Sequence, residues 1–168
     1  MPRYEDLSKN ELIHRLREAE AVARACNKDR EVLKQSEERF RLFLDHSPTV
    51  AWIKDAAGRF VYLSKTFEQR LGVRLDDWYG KTDAEVWPAA TAEAFRKNDL
   101  EVLASGQAIQ VVEETINADG SKCHWLTVRF PVGDAEGRLM VAGIGLDITD
   151  HRRAEEEARQ RLIEIEGL

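Results

Sequence analysis

The residues able to carry chemistry in this 168-residue chain are few and scattered. The histidines are His14, His46, His124 and His151; the cysteines are Cys26 and Cys123. A zinc site or a nucleophile–base pair needs such side chains at ligand spacing, as on an H-E-x-x-H helix turn, and no pair here has it. Cys123 and His124 are neighbours on a predicted strand, where successive side chains point to opposite faces, so they do not form a metal or nucleophile pair. His14 lies beside the apolar seam of a predicted helix; it has the type of a phosphoacceptor, but a solvated helix histidine is the expected state. Cys123 would sense oxidants only with an exposed thiol of lowered pKa. Gly143-Ile-Gly145 lies inside a predicted strand that leads to Asp147, so it is not a phosphate loop opening a helix. There is no G-x-S-x-G elbow and no kinase signature set. Catalysis is not expected of these residues, and no metal site is.

Recognition is the remaining chemistry. Trp52, Tyr62 and Trp125 join an apolar body to a polar tip, which suits a small-ligand cavity or an ordinary core with its N–H and O–H groups satisfied. Gly143 and Gly145 share one face of the last strand with Val141 and Asp147. Their missing side chains either leave room for a ligand or let a helix approach closely. Thr127 and Arg129 alternate in step with Trp125. Facing inward, Arg129 would meet an anion; a strand-end arginine in solvent is the competing expectation. The candidate pocket is therefore Trp52, Tyr62, Trp125, Thr127, Gly143 and Gly145.

The elements that must position these residues follow from charge and periodicity. The formal net charge is -6, which argues against a general nucleic-acid or anionic-membrane binder. No apolar run approaches the ~20 residues of a membrane span. The charged start is not a secretory signal, and two cysteines make no disulfide scaffold, so a cytoplasmic, reducing location is expected. Residues 1–45 contain no glycine and only Pro2. Steps of four and three there give Leu12, Leu16, Ala19, Ala23, Cys26, Arg30, Leu33, Glu37, Phe40 and Leu44, a heptad seam interrupted by Arg30 and Glu37. Ser8 with Glu11 forms a capping-box start. This predicts one long helix paired in a parallel dimer, or folded back on its own domain, with a second start at Ser36-Glu-Glu-Arg39 as an alternative.

From Thr49 the period changes to two. Strands are predicted at 49–54 and 59–64, then a helix over 65–71 stopped by Gly72. Short helical pieces fill 73–87, with a cap at Thr82. A better helix runs from Pro88 to Gly106, with Ala92, Phe95, Leu100 and Leu103 as its buried side. Strands at 108–116, 122–130 and 138–146 follow, joined by a turn at Asn117-Ala-Asp-Gly120 and a loop at 131–137. Asp150 is the predicted N-cap of the last helix, whose four-three spacing runs through Ala154, Ala158, Arg161, Ile165 and Leu168. Hairpin-linked strands give an α+β fold: a five-stranded antiparallel sheet with its helices on one face, flanked by N- and C-terminal coiled-coil-type helices.

Residues 36–150 resemble a PAS domain with its C-terminal PAC portion. The matching segments are Trp52-Ile-Lys-Asp-Ala-Ala-Gly-Arg-Phe-Val-Tyr62, Ala94–Gly106, Asp119-Gly120 before a tryptophan-bearing strand, Asp134-Ala-Glu-Gly137 and Gly143-Ile-Gly-Leu-Asp-Ile-Thr149. The chain departs from the family at Ser64, where asparagine is frequent. The resemblance implies a cytoplasmic sensor within a bacterial signalling protein. Residues 1–35 would be a coiled-coil connector, 36–149 the sensor and 150–168 a signalling helix. It also implies a relay through Asp147, Ile148, Thr149 and Asp150 to a downstream output domain, in a parallel homodimer. Haem-binding relatives use a histidine of the long helix, and Pro88–Gly106 has none. Flavin-adduct relatives use a cysteine within 73–87, which is also missing. Haem and covalent flavin are thus disfavoured, non-covalent flavin stays open, and an unidentified small ligand is the remaining expectation. Two other readings stay open: a structural homodimerisation module without ligand, and the sensory fragment of a histidine kinase of a two-component system or of a cyclic-dinucleotide enzyme.

Overall fold

The computed structural model describes residues 8–116 and 120–166. Most of the turn expected at Asn117–Gly120 lies outside them, as does Leu168. Contacts divide the chain into two compact units, one ending at Phe43 and the other beginning at Leu44.

The first unit is helix α1 (Lys9–Asp45), whose last two residues belong to the second unit. The capping box forms: the Ser8 backbone N–H and hydroxyl donate to Glu11 Oε2 at 2.9 and 2.7 Å. The helix passes unbroken through Ser36, so no second helix starts there. None of its residues is buried, and Leu12, Leu16, Leu33 and Phe40 of the seam are all exposed.

The second unit contains β1 (Val50–Asp55), β2 (Phe60–Leu63), α2 (Lys65–Leu71), α3 (Leu75–Trp78), α4 (Asp83–Val86), α5 (Ala89–Ser105), β3 (Ile109–Ile116), β4 (Lys122–Gly133), β5 (Leu139–Asp147) and α6 (Thr149–Glu166). The strands form one antiparallel sheet in the order β2-β1-β5-β4-β3. The β1–β2 turn needs Gly58, whose φ of 85° suits glycine and whose hydrogen leaves room for Arg96. Arg96 Nη2 donates to Ala56 O at 3.1 Å and so pins the turn to α5. Ser64 joins β2 to α2. Its buried hydroxyl accepts from Phe67 N–H at 3.2 Å and from Ala51 N–H at 3.0 Å, capping the helix and tying it to β1. The family's frequent asparagine is thus replaced by a residue that still makes polar contacts.

Three expectations are corrected. The buried stripe of α5 is Ala92, Phe95, Asp99 and Val102, whereas Leu100 faces solvent and Leu103 is half-buried. An aspartate replaces a leucine on that stripe because cations wait for it. Strand β4 continues through Pro131 to Gly133 instead of ending at Phe130. Pairing with β3 stops at Arg129, so Pro131 stands where β4 has become an edge on that side and a missing N–H is tolerated. Finally, α6 starts at Thr149, so Asp150 lies inside its first turn and is not the N-cap. Its carboxylate there favours the helix N-terminus electrostatically and lies 3.6 Å from Arg153.

Candidate functional site: a charged chamber under the sheet

The core of the second unit is aromatic. Trp52, Phe60, Phe67 and Trp78 pack between the sheet and the short helices, and Trp87 and Phe95 extend the cluster edge-to-face. Within it lies a cavity of about 50 Å³, lined by residues from the inner face of β1, β3 and β4 and from β2, α2, α4 and α5. Strand alternation sends Trp52 and Lys54, Glu113 and Thr115, and Trp125, Thr127 and Arg129 to this face.

Trp52, Gly143 and Arg129 stand side by side across β1, β5 and β4. A Cβ on Gly143 would collide with the Trp52 indole, which lies over that strand. A Cβ on Gly145 would come within 3.0 Å of Val50 Cγ2. The space above these glycines is taken by β1 side chains, the Trp52 indole over Gly143 and Val50 beside Gly145. The Arg129 guanidinium sits 5.1 Å from the Trp52 ring centroid and 5.1 Å from that of Phe95, a cation–π arrangement in an apolar setting.

Five ionisable side chains meet in this chamber. Lys54 Nζ donates to Asp83 Oδ2 at 2.5 Å and to Asp99 Oδ2 at 3.0 Å. Arg129 donates from Nη1 to Asp99 Oδ1 at 2.7 Å, and from Nη2 to both Glu113 oxygens at 2.7 and 2.9 Å. Thr127 Oγ1 and Asn98 Nδ2 donate to Glu113 at 3.0 and 2.8 Å. Lys54, Asp83, Asp99 and Arg129 are each at most 2% exposed. Burial of charge is costly, and these groups persist because each is paired and hydrogen-bonded. Asp83 is the uneasy member. Burial pushes its carboxyl above 3.8, the Lys54 ammonium pulls it back, and Asp99 pushes it up again. Three atoms of the lining residues keep no hydrogen-bond partner among the described residues: Trp52 Nε1, Asp83 Oδ1 and Arg129 Nε. Two donors and one acceptor on these residues are thus left unpaired.

Helix α4 exists to present Asp83. Thr82 N–H and Oγ1 donate to Glu85 Oε2 at 2.8 and 2.9 Å, closing a one-turn helix whose first residue is Asp83.

The exit from the sheet is built as closely. Thr149 is buried, and its hydroxyl accepts from His124 N–H of β4 at 2.9 Å. Ile148 N–H donates to His124 O at 2.9 Å. Asp147 Oδ1 accepts from Thr149 N–H at 2.9 Å, and Asp147 Oδ2 lies 3.5 Å from Arg70 of α2. The start of α6 is therefore bolted to β4, the strand that carries Arg129.

Of the sequence candidates, Trp52, Trp125 and Thr127 line the cavity. Trp125 Nε1 donates to Thr115 Oγ1 at 3.0 Å. Tyr62 of β2 pairs with Ile53 of β1, is half-buried and is not among the lining residues; Gly143 and Gly145 lie behind the wall. Arg129 faces inward, not into solvent, and the anions it meets are the protein's own carboxylates. Cys123 is buried, which denies it the exposure a thiol sensor needs. His14 is solvated on α1, 3.4 Å from Glu18. Lys54, Asp83, Asp99 and Glu113 were missed. The available signal was a charge in step with an apolar stripe: Lys54 alternates with Val50 and Trp52, and Asp99 falls between Phe95 and Val102. No cluster of three metal-ligating side chains occurs among the described residues. No described helix is long and apolar enough to cross a membrane.

The family described as PAS fold matches residues 44–153. The methanogenesis regulatory histidine kinase FilI of Methanothrix harundinacea is 30% identical over 130 residues, 77% of this chain and 15% of that protein. The two-component sensor PprA of Pseudomonas aeruginosa is 30% identical over 136 residues, 75% of this chain and 14% of that protein. The chain thus spans about one seventh of these curated relatives. Among solved structures, VqmA of Vibrio cholerae in a ligand–DNA complex superposes with a TM-score of 0.59 at 29% identity, over 67% of this chain and 51% of that one. The PAS domain of Bordetella pertussis BvgS gives 0.54 at 22% identity, over 78% and 98% respectively. Sheet order, helix placement and the sequence match agree, and the chain belongs to the PAS-fold family.

Proposed function

We propose that the second unit is a ligand-responsive sensor whose chamber governs the start of α6, and that it serves as the sensory segment of a larger cytoplasmic signalling protein. The observation that carries this is the trio of unpartnered buried atoms, Trp52 Nε1, Asp83 Oδ1 and Arg129 Nε, on residues lining one cavity. The relatives named as a histidine kinase and a two-component sensor support the signalling context, and a related structure described as VqmA bound to DPO supports a bound occupant. Occupancy would shift Arg129 on β4, and the His124–Thr149 bond would carry that shift to α6. A signal needs two packings close in energy, and a buried charge cluster offers alternative pairings.

The exposed Leu12, Leu16, Leu33 and Phe40 on α1 support a parallel homodimer, because a helix that buries none of its residues needs a partner along its seam. The mass in solution tests this part.

A thermal-shift screen of small polar metabolites on the purified chain tests the ligand. At least one compound should raise the melting temperature with a concentration dependence, as binding to the native state requires. A flat screen, with a native mass equal to the polypeptide alone, would leave a ligand-free dimerisation module.

A further inference from the structure

We infer that β3 is a docking edge for a second copy of this chain, whose own β3 adds antiparallel to it about a two-fold axis at Val112. A sheet edge presents unpaired N–H and C=O groups, and folds guard it with short strands, bulges, prolines, lysines or a covering segment. The other open edges of this sheet are guarded. β2 has only four residues, and its pairing with β1 is irregular between Ile53 and Lys54. A passing segment covers Phe60: its N–H donates to Lys81 O at 2.9 Å and its C=O accepts from Gly80 N–H at 2.8 Å. The end of β4 that runs past β3 carries Pro131. β3 has none of these devices. Its eight residues pair with β4 without a register shift and include no proline or lysine. Among the described residues it makes no backbone–backbone hydrogen bond outside the β4 ladder. Its one inward charge, Glu113, is answered by Arg129.

The strand complements itself in one register. Gln110, Val112 and Glu114 alternate on its outer face, all exposed, Val112 by 52%. A two-fold axis through Val112 sets Val112 against Val112 of the second copy and Gln110 against Glu114, an apolar pair flanked by two amide–carboxylate pairs. Glu114 has room for that amide: Lys122 Nζ holds Oε1 at 2.8 Å, whereas His124 Nε2 stands 3.6 Å from Oε2, too far for a hydrogen bond. The neighbouring registers are worse. An axis at Glu113 sets two carboxylates directly opposite each other and Val112 against Glu114. An axis at Val111 sets Gln110 against Val112 and Ile109 against Glu113. The favoured ladder runs from Ile109 to Thr115 and joins two sheets into one. It is separate from the pairing of the α1 seams and goes beyond the sensor reading.

Site-specific oxidation tests this on the full chain carrying Cys26→Ser, which removes the exposed native thiol; Cys123 is buried. Opposed residues of an antiparallel pair have Cα atoms ~4.5–5.5 Å apart, within the ~4.4–6.8 Å that a disulfide spans. Val112→Cys therefore meets its own copy, whereas Gln110→Cys lies four residues along the ladder from its copy, at roughly 14 Å. With copper phenanthroline as oxidant, Val112→Cys should form the disulfide-linked dimer about tenfold or more faster than Gln110→Cys. Adding Glu114→Cys to Gln110→Cys should restore the fast rate, because those two positions face each other. Equal rates for the two single variants, or no gain from the added Glu114→Cys, overturns the inference. A Val112→Cys chain that stays monomeric on denaturing gels while melting like its parent leaves the edge to solvent or to a different strand, and overturns it too. Should Val112→Cys fail to fold, the comparison of Gln110→Cys with and without Glu114→Cys decides. The chamber and α6 take no part in this test, so the sensor reading stands or falls separately.

Discussion

The Arg129 guanidinium lies 5.1 Å over the Trp52 indole, and the two reach each other across Gly143, the one residue between them in the sheet that has no side chain. One missing methyl group thus lets a tryptophan from β1 and an arginine from β4 share the floor of the chamber.

Gly143→Ala should therefore displace Trp52. Overpacking of this kind costs about 1–3 kcal/mol. Urea unfolding should show a lower midpoint with an unchanged slope, together with altered tryptophan fluorescence. A variant as stable as the parent would mean that the indole does not lie over β5.

Asp99 bridges both cations, so Asp99→Ala should cost about 3–5 kcal/mol, the usual penalty for stranding buried charge. Ablating the exposed pair Glu156–Arg159 should leave the midpoint nearly unmoved, although its contact, at 3.0 Å, is as short as that of Lys54 with Asp99. Equal effects at the two sites would show that the chamber is open to water.

Asp83 sets the sign of a pH effect. Its native carboxyl titrates above 3.8, so the native state holds the proton more tightly than the unfolded chain does. Its contribution is therefore lost as pH rises through the window above 3.8, and regained below it. Relative to wild type, Asp83→Asn should gain stability as pH rises through that window and level off above it. Denaturant midpoints of both proteins at several pH values test this, and a constant difference contradicts it.

Thr149→Val keeps the shape of the junction but removes the acceptor of His124 N–H. An unsatisfied buried donor costs about 1–3 kcal/mol. The His124 amide should exchange faster in the variant, with the ladders of β1 unchanged. Unaltered exchange at His124 would mean that α6 is not fastened to β4.

The layers of the fold were legible in the sequence because period two, turn glycines and helix stops are local signals. Gly72 and Gly106 end α2 and α5 where their positions predicted, both with left-handed backbone. The floor of the chamber was legible in part, since alternation placed Trp52, Trp125 and Thr127 on one strand face each. The charged cluster was not. Its members come from β1, α4, α5, β3 and β4, and only tertiary packing brings Lys54 to Asp83 and Asp99. Reading α5 by hydrophobicity alone chose Leu100, because a buried aspartate is stable only when distant cations pay for it, and those lie 30 and 45 residues away in sequence. The identity of the α6 cap failed for a similar reason: Thr149 spends its hydroxyl on β4 and leaves Asp147 to cover the helix's first N–H.

The central claim is that filling the chamber changes the hold of the sheet on α6. Amide hydrogen exchange of residues 147–152 and of His124, with and without a saturating chamber ligand, reads it directly. The account predicts that exchange at these amides changes on binding while that of the β1–β2 hairpin turn does not. Identical exchange at the junction in the free and bound chain would contradict it.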